Sequence, residues 1–238
     1  MSLPTLNTAT YELMLPSSDV TVKYRPFLVK EEKVLLQALE SEEVKQVVQA
    51  LKDIVKACTF GQINVESLPT FDLEYIFLQI RSKSVGEVAK IRVLCPDDKK
   101  TYVPVDIDLS KIEVQVDDSH TNKIILDKEK NVGLIMKYPT LDSVDVSVEA
   151  SKLKTSELFK TIRNCIHQIF EGEKVYNVSD YTEQEMDNFL DSLNSQNFKD
   201  IQNFFNTIPA LIHEVEVENP NTKVKGKVVL RGLQNFFV

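Results

Sequence analysis

Apolar and polar positions change period several times along this chain. Residues Tyr11 to Leu15 and Val20 to Tyr24 are β-prone stretches separated by the turn-forming PSSD of residues 16–19, which predicts a hairpin. Pro26 then restricts Arg25 to extended backbone, and Val34, Leu35, Ala38 and Leu39 follow at helical spacing. The charge block Lys30-Glu31-Glu32-Lys33 falls in the first turn of that helix, where carboxylates interact well with free backbone amides, and reads as a solvated helix start. Next, Val44, Val47, Val48, Leu51, Ile54, Val55 and Cys58 repeat at i, i+3, i+4 and i+7, a helix that Ser41 can cap. A third helix is predicted from Thr70, with Leu73, Ile76, Phe77 and Ile80 inward, Tyr75 and Leu78 widening the apolar face, and Gly86 beyond its end.

After Glu87 the period falls to two. Val88 to Leu94, the turn PDDKK and the segment TYVPVDIDL predict a hairpin, and further strands are expected at Lys111 to Val116, Lys123 to Leu126 and Val132 to Tyr138. Helical spacing returns near Thr155, where Leu158, Ile162, Cys165, Ile166 and Ile169 share a face. A short strand is expected at Lys174 to Val178. Thr182 and Glu185 form a capping box for a helix carrying Met186, Phe189, Leu190 and Leu193, and one more helix is expected over Gln196 to Thr207. Leu211 to Val217 and Val224 to Leu230, joined by ENPNTK, predict a closing hairpin. The fold class is therefore α+β, helices combined with antiparallel hairpins. It divides into residues 1–116 and 117–238, or forms one compact unit.

Composition narrows the chemistry. The 238 residues carry 36 acidic and 28 basic side chains, a net charge of -8, with no basic run, which disfavours nucleic acid as a partner. No apolar segment approaches the roughly 18 to 20 residues needed to span a bilayer, and SLPTLNTAT after Met1 has no secretory pattern. A soluble, unexported protein is expected. The three widely separated cysteines suit a reducing compartment. With only six glycines, none clustered, no Gly-rich phosphate loop is present.

Four patterns bear on catalysis or metal binding. Cys95-Pro96-Asp97-Asp98 sits at a hairpin tip where a zinc knuckle would place C-x-x-C, but Asp98 takes the second cysteine's position and the final hairpin offers Glu218-Asn219-Pro220-Asn221. Cys165 and His167 are two residues apart on the expected helix, so they point apart, and a packing cysteine is the stronger reading. His120 and His213 have no partner nearby in sequence, and no G-x-S-x-G elbow occurs. The pairs Asp97 with Asp98, Asp106 with Asp108 and Asp117 with Asp118 fit solvated turns or strand faces as well as they fit an ion site. No catalytic residue, metal or cofactor is expected.

The segments YRPFLVKEEKVLLQALE, SLPTFDLEYIFLQIRSKSVGE and the closing hairpin with LRGLQNFF resemble the baseplate hub assembly proteins of T4-like contractile-tailed bacteriophages. Some members of that family carry cysteine pairs at both hairpin tips. Here the two zinc-ribbon-like hairpins lack a full ligand set, having Cys95 with Asp98 and the segment Glu218 to Asn221. The resemblance implies a non-enzymatic, chaperone-like factor for the central baseplate hub, or a permanent subunit of it, binding other tail or hub proteins. A metal-dependent hydrolase using the acidic pairs is the weaker alternative. The resemblance places the protein in the host cytoplasm during assembly or in the virion baseplate, and no sequence feature specifies an oligomeric state. Candidate partner-binding residues are Tyr24, Arg25, Pro26 and Phe27 in the first motif and Arg231, Leu233, Phe236 and Phe237 at the end. Phe27 and Phe236 equally suit a core.

Overall fold

The computed structural model describes residues 7–143 and 155–232. Helices alternate with antiparallel sheets, an α+β fold, and the chain divides into two compact units. Unit 1 comprises the described parts of Met1–Gln115 and Ala210–Val238, and unit 2 is Val116–Pro209.

Unit 1 opens with hairpin β1 (Tyr11–Met14) and β2 (Thr21–Tyr24), in the register Tyr11↔Tyr24. Helices α1 (Val29–Glu40), α2 (Val44–Cys58) and α3 (Thr70–Val85) follow. A second hairpin joins β3 (Val88–Leu94) to β4 (Tyr102–Asp108), and β5 (Val114–Gln115) is a two-residue strand. The chain returns to this unit as β10 (Ala210–Glu218) and β11 (Lys225–Arg231). A division at residue 116 would leave this last hairpin with the C-terminal region. It groups with unit 1 because β10 pairs antiparallel with β5, Ala210 opposite Gln115 and Leu211 opposite Val114.

Leu73, Ile76, Phe77, Leu78 and Ile80 of α3 are all buried to 1% exposure or less. Apolar side chains on nearly every side make a helix that is surrounded, as the widened face at Leu78 predicts. Each such large aliphatic or aromatic side chain contributes about 1.5–3 kcal/mol by leaving water, before conformational entropy is subtracted. Gly86 ends the helix with a φ of 134°, a left-handed value that glycine adopts without a Cβ clash. On β3 the buried positions are Ala89, Ile91 and Val93, while Val88 and Leu94 face outward.

Unit 2 is built on a four-stranded antiparallel sheet in the order β6 (Lys123–Asp127), β7 (Val132–Met136), β8 (Ile166–Glu171), β9 (Lys174–Asn177). Helices α4 (Thr155–Cys165), α5 (Glu183–Asp191) and α6 (Ser195–Thr207) complete it. Leu134, Ile162, Ile166, Met186, Ile201 and Phe204 meet in its core. Asn194 caps α6 by accepting from the backbone amides of Gln196 and Asn197 at 2.8 and 2.9 Å, and Asn197 Nδ2 donates to the Leu126 carbonyl at 2.9 Å, tying the helix to β6.

Three elements depart from the periodicity. The helix expected to run through Ile169 stops at Cys165, and Ile166–Glu171 becomes a strand because β7 offers it a full set of ladder partners, Leu134 opposite Ile169 among them. Ser41 closes α1 instead of opening α2: its hydroxyl donates to the Ala38 carbonyl at 2.7 Å. The strand expected at Lys111–Val116 is reduced to Val114–Gln115, since Asp108 accepts from the Ser110 amide at 3.1 Å and turns the preceding residues into a short 3-10 segment.

Candidate functional site: a hydrogen-bonded clasp between two hairpin tips

The turns of β3–β4 and β10–β11 are built alike over their first five residues, the first loop closing one residue later than the second. At the first tip the Cys95 amide donates to the Thr101 carbonyl at 2.8 Å, and the Cys95 carbonyl accepts from Lys99 at 3.0 Å. At the second, Asn219 makes the corresponding bonds with Val224 at 3.0 Å and Lys223 at 2.8 Å. Lys99 and Lys223, each four residues on, both adopt left-handed backbone, φ 51° and 63°. Cys95 and Asn219 therefore hold equivalent positions, as do Asp98 and Thr222, and both Cys95 and Asn219 are fully buried.

Side chains join the tips. Asp97 accepts from Asn219 Nδ2 at 3.0 and 3.1 Å and from Thr222 Oγ1 at 2.6 Å, and Asn221 Nδ2 donates to Thr101 Oγ1 at 3.1 Å. Asp98 braces its own turn through the Thr101 amide and hydroxyl and the Lys100 amide. The Asn219 and Thr222 hydrogen bonds hold the Asp97 carboxyl below the usual carboxylate range, and Thr101 does the same to Asp98. The backbones approach closely where Pro96 crosses Gly226: a Cβ at residue 226 would lie 2.6 Å from the proline ring.

A structural zinc site takes four thiolate or imidazole ligands, whereas this junction presents one thiol, an amide, a hydroxyl and carboxylates already engaged by donors. Among the described residues no group of three or more His, Cys, Asp or Glu is placed to hold a metal ion. The other carboxylate pairs are local as well: Asp108 receives Ser110 and Lys111, and Asp117 receives the amide and hydroxyl of Ser119. Burial pushes the Cys165 thiol up to about 12 and the Cys58 thiol to about 11, which suits packing and not nucleophilic attack. Cys165 ends α4 and is buried, while His167 is exposed on β8.

Compared with known families, residues 8–238 match the model of the T4 bacteriophage base plate protein. The chain belongs to that family. No curated protein and no solved structure matches it. Among the described residues of this baseplate protein, no helix is long and apolar enough to cross a membrane.

Tyr24 to Phe27, the start of the first segment that carries the resemblance, is largely an internal brace of the baseplate protein. Tyr24 is buried, its ring 5.5 Å from that of Tyr11. Arg25 turns inward: its guanidinium donates to Glu31 at 2.9 Å and to the Pro26 carbonyl at 2.9 Å, with Cys58 Sγ at 3.7 Å. Glu31 also accepts from the Leu28 amide at 2.8 Å. Its carboxyl lies below the ordinary value; desolvation acts to raise it, and the Arg25 and Leu28 hydrogen bonds together outweigh that. Glu31 thus departs from the solvated helix start that its neighbours Lys30, Glu32 and Lys33 do form. Pro26 and Phe27 are half-buried, and the Phe27 amide donates to Ser84 Oγ at 2.9 Å. Arg231 is exposed at the end of β11. Leu233, Phe236 and Phe237 lie outside the described residues.

Sequence periodicity missed an apolar surface on α1. Of its four helically spaced aliphatics only Ala38 is buried and Leu35 half-buried, while Val34 and Leu39 are 43% and 49% exposed. Val29, Leu36 and Leu39, separated by seven and three residues, share one flank of the helix, and all three are exposed. The signal was in the spacing: more apolar positions occur on α1 than one buried stripe can use.

Proposed function

We propose that this baseplate protein is a non-enzymatic assembly factor for the central baseplate hub of a contractile phage tail, acting in the host cytoplasm by binding other hub proteins. The observation that carries this reading is the apolar flank of α1, Val29, Leu36 and Leu39, left in water on a protein whose family works in a multiprotein baseplate. The hub in particular rests on the resemblance of the Tyr24–Glu40 and Ser67–Glu87 segments. The carboxylates beside the clasp and turns are occupied by donors, which supports adhesion over hydrolysis. A tagged copy expressed during infection tests it: named hub proteins should co-purify with the wild type and be lost with Leu36→Ser/Leu39→Ser. Mass spectrometry of purified virions should lack the protein. Its presence there at a fixed stoichiometry would instead make it a permanent hub subunit, and retention of hub proteins by the double variant would remove α1 as the contact.

A further inference from the structure

Unit 2 has a groove of about 420 Å³ whose floor is Val132, Ile169, Met186 and Phe189. Two tyrosines form one wall: Tyr176 on β9 and Tyr181 just before α5, ring centres 6.4 Å apart and steeply inclined at 61°. Glu171 and Glu185 stand at the rim. Tyr181 is 41% exposed and Tyr176 sits on the edge strand β9, so the mouth is open on that side.

The charges are arranged unevenly around α5. Glu183 and Asp187 share a salt bridge with Arg163, at 3.0 and 2.8 Å. Glu171 and Glu185, which line the groove, make no salt bridge with a lysine or arginine among the described residues, and Lys174, opposite Glu171 across the β8–β9 ladder, is the nearest cation in register. Both are nevertheless fixed in place. Tyr176 OH donates to Glu171 Oε2 at 3.0 Å, and Glu185 Oε2 accepts from the Thr182 amide and hydroxyl, both at 2.8 Å. Those Thr182 bonds also hold the Glu185 carboxyl below its ordinary value, keeping it ionised. Aromatic faces, an apolar floor and two anchored carboxylates outside any salt bridge among the described residues constitute the complement of a flat, delocalised cation with an aliphatic stem.

We infer that this groove receives an arginine side chain, flanked by apolar residues, from another baseplate protein. The guanidinium stacks on the tyrosine wall and pairs with the rim carboxylates, and its methylene stem lies on Ile169 and Met186. Arginine is favoured over lysine because a planar fork can satisfy a ring face and a carboxylate together, which a compact ammonium cannot. The inference rests on the reading that the protein works by binding other proteins, but it uses a different surface from α1.

The test is methyl NMR of the full chain, following Met186 and Ile169 while titrating the peptides Ac-Leu-Arg-Leu-NH2, Ac-Leu-Lys-Leu-NH2 and Ac-Leu-Gln-Leu-NH2. The arginine peptide should shift both methyls, with affinity about tenfold above the glutamine peptide. Tyr181→Ala and Glu171→Gln, both at exposed positions, should each weaken the arginine peptide while leaving the core methyls of Leu134 and Ile201 unmoved. Equal binding of the glutamine peptide, equal binding of the lysine peptide, or no shift with any peptide would each overturn the assignment. Since α1 is not involved, failure here leaves the infection assay of the Leu36/Leu39 variant to be judged separately.

Discussion

Asn219 donates both of its short contacts to Asp97, a residue 122 positions earlier in the chain, and so fastens the last hairpin of unit 1 to the hairpin after α3. The Asp97 carboxylate holds the tips together, accepting from Thr222 as well as from Asn219. Because Asp97 titrates below the usual carboxylate range in the folded chain, its contribution is present above pH about 4 and is lost as pH falls through the folded value. Asp97→Asn should lower the urea midpoint at pH 7 and flatten the acid limb of the stability profile. Chelators such as EDTA should leave the wild-type midpoint unchanged; a chelator-induced drop would show that the clasp is not what joins the tips.

Asp72 behaves in the opposite sense. It is fully buried in α3, and burial raises its carboxyl pKa despite hydrogen bonds from the Ser17 amide, at 3.2 Å, and from the Ser17 hydroxyl. A raised folded value means that the stability it contributes is complete below the unfolded pKa of about 4 and declines as pH rises through the folded one. Asp72→Asn keeps an acceptor for the amide and removes the charge, so it should match or exceed wild-type stability at pH 7. Ser17→Ala strips a donor from the buried carboxylate and should cost about 1–3 kcal/mol. Urea unfolding of both variants at pH 5 and pH 8 separates these effects.

The thiols should be inert in the native state. Cys58, Cys95 and Cys165 are all buried, and the two highest values, about 11 and about 12, leave almost no thiolate at neutral pH. Titration with an aromatic disulfide reagent at pH 8 should find no fast-reacting group until denaturant is added. One rapid equivalent in the native protein would contradict the packing role.

Local signals marked out most elements, and nonlocal ones decided the exceptions. The T-x-x-E box of Thr182 and Glu185 is visible in sequence and is formed in the structure, because both partners sit within one turn. Ile166 and Ile169 have helical spacing with Ile162, yet a run this short fits a strand equally, and only the presence of β7 as a pairing partner settles it. The two tips are alike in sequence as hairpin turns, but their register, Cys95-x-x-Asp98-Lys99 beside Asn219-x-x-Thr222-Lys223, is not marked by metal-ligand spacing, since asparagine and threonine are not zinc donors. The groove of unit 2 draws on β7, β8, β9 and α5, and no linear pattern of residues announces it.

Gly133 on β7 is required by close approach. A Cβ there would overlap the Phe170 ring and the Ile124 carbonyl, nearer than real Cβ atoms come to either. Gly133→Ala should therefore destabilise unit 2 by about 1–3 kcal/mol through overpacking. Shortening the ring in Gly133→Ala/Phe170→Leu relieves only one of the two clashes, because the other is with backbone. The double variant should remain well below wild type by thermal unfolding, and full recovery would show that the ring alone imposes the glycine.

His120 links the loop before β6 to the end of α6, with Nδ1 at 2.8 Å from Thr207 Oγ1 and Nε2 at 3.1 Å from Tyr138 OH. Thr207 already donates its hydroxyl proton to the Asn203 carbonyl at 2.8 Å, so towards His120 its oxygen accepts. That fixes the neutral tautomer: Nδ1 carries the proton and Nε2 accepts from Tyr138. The ring also stacks against Tyr138 and lies 5.2 Å from Phe204, and burial lowers its pKa, with Asp117 the opposing charge. A depressed folded value makes the contribution complete above the unfolded pKa of about 6.5 and lost as pH falls through the folded one. Protonation puts a second donor on Nε2, against the Tyr138 hydroxyl that now donates to it. Amide exchange at the C-terminal turn of α6 should accelerate between pH 7 and pH 5, beyond the intrinsic trend, and His120→Gln should abolish that excess. An imidazole that titrates at or above 6.5 by NMR would refute the neutral latch.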